Sequence, residues 1–60
     1  MFLKLYHAAL AFRRSADEAC SPEVRAYFIE RARECFARAA KHAPNRLLAL
    51  KMLYLKLECV

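Results

Sequence analysis

The chain has 60 residues, 60% of them apolar, with no glycine and a formal net charge of +5. That length admits one domain, residues 1–60, near the lower limit for a core that stands without a staple such as a disulfide, a metal or a second copy. Without glycine there are no phosphate-cradling loops or glycine turns, and a composition led by Ala and Leu leaves all-α as the class that fits.

A first helix is predicted over residues 2–19. Phe2, Leu5, Ala9, Phe12, Ala16 and Ala19 recur at gaps of three and four, the seam pattern of a packed helix, and Leu3, Tyr6 and Leu10 widen that face. Arg13 and Asp17 are spaced as an i,i+4 pair at its edge. The first sixteen residues carry no acid, as in a mitochondrial presequence, but the seam continues past Asp17 to Ala19, which favours a structural helix. The short turn at Cys20-Ser21 forces an antiparallel hairpin.

The second helix, residues 22–43, is marked at both ends. Ser21 suits the N-cap, Pro22 the first turn and Glu23 the positive end of the dipole, while Lys41 and His42 suit the last turn and Pro44 stops it. Val24, Phe28, Ile29, Ala32, Cys35 and Phe36, with Ala39, Ala40 and Ala43, make the apolar face. The polar arc carries Glu23, Glu30, Arg31, Glu34, Arg38 and Lys41, with Tyr27 in its middle. An exposed aromatic flanked by Arg31 and Arg38 has hot-spot chemistry, so Tyr27, Arg31 and Arg38 are candidate partner-binding residues.

After Pro44, with Asn45 as N-cap, a third helix is predicted over residues 46–59. It has two apolar arcs. Leu47, Leu50, Leu53, Tyr54, Leu57 and Val60 form one, and Leu48, Met52, Leu55 and Cys59 form the other, divided by Lys51 with Glu58 and by Ala49 with Lys56. A helix with one neighbouring surface needs one arc. The second arc, Leu48, Met52, Leu55 and Cys59, is therefore assigned to contact with another molecule. No transmembrane segment is expected: a span needs about 20 apolar residues, and residues 46–60 include four charges.

Chemistry is thin. There is no HExxH motif, no paired carboxylate in an apolar setting and no CxxC spacing among Cys20, Cys35 and Cys59. His7 and His42 do not complete a metal-ligand spacing, and Cys35 and His42 stand roughly 10 Å apart along one helix. The expectation is no enzyme activity, no cofactor and no metal, with free thiols in a reducing cytoplasm.

The spacing of Ala32, Phe36, Ala39 and Pro44 resembles the second helix of a tetratricopeptide repeat, over residues 32–44. The small residues there let helices approach, the aromatic fills the gap and the proline ends the unit. The first-helix positions of such a repeat fall at Ala16, Ala19, Cys20 and Glu23, across the Ser-Pro turn, and do not match. The resemblance implies a protein- or peptide-binding role, as in a small helical chaperone or adaptor.

The expected architecture is thus a small three-helix antiparallel bundle serving protein–protein interaction. It would act as a homodimer, or as a subunit against a larger protein. The alternative is a basic nucleic-acid-binding protein contacting phosphates through Arg and Lys of the first two helices. Against it, the charge is dispersed, with no basic run longer than Arg13-Arg14.

Overall fold

A computed structural model describes residues 1–59. They form α1 (Phe2–Glu18), α2 (Pro22–Lys41) and α3 (Arg46–Glu58), with no strand among the described residues. Each helix ends one or two residues before the boundary that periodicity predicts. Ala19 is already extended at φ −70°, ψ 135°. Ala43 precedes Pro44, whose ring disfavours helical backbone at that position, and its N–H reaches only as far as the Ala40 carbonyl.

The caps differ in kind. Asn45 accepts a hydrogen bond from the Leu48 N–H at 2.9 Å, closing the first turn of α3. Ser21 stands at the N-cap of α2 but turns its hydroxyl to the Glu23 carboxylate, donating at 2.7 Å, and makes no bond to the backbone. That hydroxyl holds the Glu23 carboxyl below its ordinary value. Both turns are made without a positive φ among the described residues, which suits a chain without glycine.

The middle helix is α2. It packs against α1 on one side and α3 on the other, while α1 and α3 scarcely touch, giving a flat antiparallel array of 37 × 19 × 12 Å. Ala9 of α1, Ala32, Phe36 and Ala39 of α2, and Met52 and Cys59 at α3 form the buried cluster. Phe36 and Met52 are its large members, and the three alanines let the backbones approach around them. Phe12 stacks on Phe28 at 6.3 Å between ring centres and pins α1 to α2. All six seam residues of α1 are buried or half-buried, whereas Leu3 and Leu10 are exposed. The ion pair that forms on α1 is Arg14–Glu18 at 3.2 Å, one position on from the expected Arg13–Asp17 pair.

Among the described residues no helix is long and apolar enough to cross a membrane.

Candidate interaction surface

On α3 the two apolar arcs take opposite environments, and the assignment made from sequence is reversed. Met52 and Cys59 are 1% and 3% exposed, and Leu48 and Leu55 are half-buried beside them, so this arc packs on α2 within a single chain. The arc facing solvent is the other one. Leu47, Leu50, Leu53, Tyr54 and Leu57 are 79%, 55%, 44%, 63% and 74% exposed. Val60, placed on that arc by sequence, lies outside the described residues.

Periodicity alone does not choose between two arcs of similar width, but side-chain chemistry does. Turning Tyr54 inward would bury its hydroxyl, at a cost of roughly 1–3 kcal/mol without a partner. Met52 carries no polar hydrogen, and its unbranched side chain joins the buried cluster that holds Phe36. The tyrosine was the signal in the sequence that could have identified the outer arc.

The outward residues form an ordered row. Leu47, Leu50, Tyr54 and Leu57 follow the 3-4-3 spacing of a coiled-coil seam, with Leu53 beside them. Lys51 and Glu58, both exposed, flank the row on its other side. Among the described residues neither has an ion-pair partner. Because α3 packs chiefly against α2, it is an edge helix and its outer face is unobstructed.

The Tyr27 group is assembled only in part. The Arg31 Nε–H donates to the Tyr27 hydroxyl at 3.4 Å, and the guanidinium lies 5.4 Å from the ring centre. Arg31 also donates to Glu34 at 3.3 Å, and the bond to Tyr27 foremost, aided by Glu34, raises the Arg31 pKa. Arg38 is three turns beyond Tyr27, about 16 Å by helix rise, and about 10 Å beyond Arg31, and does not join them. Tyr27, Glu30, Arg31 and Glu34 line a shallow hollow of about 230 Å³ on one helix, with no opposing wall. Tyr27 is 54% exposed, with the Phe28 ring edge-on to it at 5.5 Å. The cation that would greet a partner is already engaged within α2.

A larger groove, about 410 Å³, runs over Pro22, Arg25, Ala26, Ile29, Glu30 and Arg33. Its origin is geometric. α2 has 20 residues and α3 has 13, so α3 ends about 10 Å short and leaves this face of α2 uncovered.

The thiols are scattered: Cys20 is exposed, Cys35 half-buried and Cys59 buried. Burial pushes the Cys59 thiol up, partly offset by Arg13 and Arg33. No three His, Cys, Asp or Glu side chains among the described residues gather as a metal-ligand group.

No family model, no curated protein and no solved structure matches this chain.

Proposed function

We propose that the protein is a non-enzymatic helical interaction module that associates with a second copy of itself through the outward face of α3. One observation carries this reading: five large apolar side chains, Leu47, Leu50, Leu53, Tyr54 and Leu57, stand 44–79% exposed in one unbroken row. A contiguous apolar row on so small a surface is the usual mark of a contact face. Self-association would also add to the modest stability that a core of 60 residues supplies on its own.

Burying the row from both copies would offer on the order of 10 kcal/mol, against association costs of about 4–15 kcal/mol. The association is accordingly weak and concentration-dependent. The resemblance of residues 32–44 to a tetratricopeptide-repeat helix fits the same role, since Ala32, Phe36 and Ala39 are the buried residues of α2. The alternative, phosphate contacts from α1 and α2, has less support. Arg14 and Arg31 are already paired with Glu18 and Glu34.

The test is Leu50→Glu, a charge in the middle of the row. The expected result is loss of the associated species with helicity retained at low concentration. An associated species that survives the substitution overturns the reading.

A further inference from the structure

The outer face of α3 carries more than apolar area, because its flanking charges specify an orientation. In a heptad frame Leu47 and Tyr54 take a, Leu50 and Leu57 take d, Lys51 and Glu58 take e, and Arg46 and Leu53 take g. Resting on the self-association proposed above, we infer that two copies pair antiparallel across α3, about a two-fold axis at the level of Met52, one residue from Leu53. Leu47 then packs against Leu57 of the partner subunit, and Leu50 against the partner's Tyr54. Leu53 lies beside the partner's Leu53. Lys51 faces the partner's Glu58 on one flank, and the two-fold repeats that pair.

The occupant is a second copy because the face complements itself in this orientation alone. Every apolar layer meets an apolar layer, and Lys51 meets the partner's Glu58 on the e flank. No like charges are set against one another on the g flank, where Arg46 meets the partner's Leu53. In the parallel arrangement g faces e, so Arg46 would stand against the partner's Lys51, like charge on like, and Leu53 against the partner's Glu58. Lys51 and Glu58 are exposed, and among the described residues neither is paired within the chain, so both are available for the contact. The seam covers less than two heptads of a 13-residue helix, too short to pair as a free peptide. Packing of Met52 on α2 holds it preformed, and the tests therefore use the full chain.

The first test is charge reversal, read as the dissociation constant from sedimentation over a concentration series. Lys51→Glu and Glu58→Lys should each weaken homodimerisation, by about tenfold for two reversed pairs. An equimolar mixture of the two variants should recover the wild-type affinity, because each then meets its opposite. Tighter dimerisation of Lys51→Glu would show parallel pairing, and a mixture no tighter than either variant would show that these charges do not face one another. Either result overturns the orientation while leaving Leu50-dependent self-association in place. A wild-type chain that stays monomeric throughout the series overturns both.

Cross-linking gives a readout independent of affinity. With the exposed Cys20 replaced by Ser, Leu53→Cys should form a disulfide to its own copy on oxidation and Leu47→Cys should not. The reverse pattern contradicts the two-fold.

Discussion

Leu50 and Met52 are two residues apart on α3 and face opposite ways, Leu50 at 55% exposure and Met52 at 1%. At about 100° per residue, two steps carry a side chain about 200° around, to the opposite side of the helix. One residue thus belongs to the core and the other to the surface, and substitutions at the two should separate folding from association.

Met52→Ala should destabilise the monomer by about 2–5 kcal/mol, through lost burial and the cavity left beside Phe36. Leu50→Ala should change monomer stability by less than about 0.5 kcal/mol. Denaturant titration at low protein concentration measures both. Equal losses would mean that the outer row is not free in the monomer.

Leu55→Glu should unfold the chain. Its side chain packs against the buried cluster, so the carboxylate would be taken partly out of water without a partner. A domain of this length holds only about 3–9 kcal/mol in total. Circular dichroism should show lost helicity for Leu55→Glu and native helicity for Leu50→Glu.

The two N-caps should respond unequally. Asn45→Ala removes the bond to the Leu48 N–H and should cost about 1 kcal/mol. Ser21→Ala should cost less, since its hydroxyl bonds Glu23 instead of the helix backbone. The comparison is made by thermal unfolding, and a larger loss at Ser21 contradicts the cap geometry.

The thiols should react with an aromatic disulfide reagent in the order Cys20, Cys35, Cys59, following exposure. Cys59 also fixes a pH dependence. Its thiol pKa is raised on folding, so its contribution is present below the ordinary thiol value of about 8.5 and is lost as pH rises through the folded value. Unfolding midpoints should fall on the alkaline side, and Cys59→Ser should flatten that limb.

The fold was legible because its signals are local. Ser21-Pro22 and Pro44-Asn45 punctuate the chain, and seam spacing in between calls for helices. The helix ends were less so: Pro44 acts on the residue before it, and the last turn gives way at His42 and Ala43. The surface was legible as two apolar arcs on one helix but not as to which arc faces out. That depends on the phase at which α3 leaves the Asn45 turn and on keeping the Tyr54 hydroxyl in water, and hydrophobic periodicity records neither. The Tyr27 group shows a further limit. A wheel projection puts Arg31 and Arg38 side by side, while helix rise separates them by about 10 Å.

The measurement that bears most directly on self-association is the solution mass of the wild-type chain, by light scattering from micromolar to millimolar concentration. Thermal unfolding is followed on the same samples. The expected result is a mass rising from one chain toward two, with a midpoint that climbs as the dimer fills. A mass that stays at one chain throughout, with a midpoint independent of concentration, would contradict it.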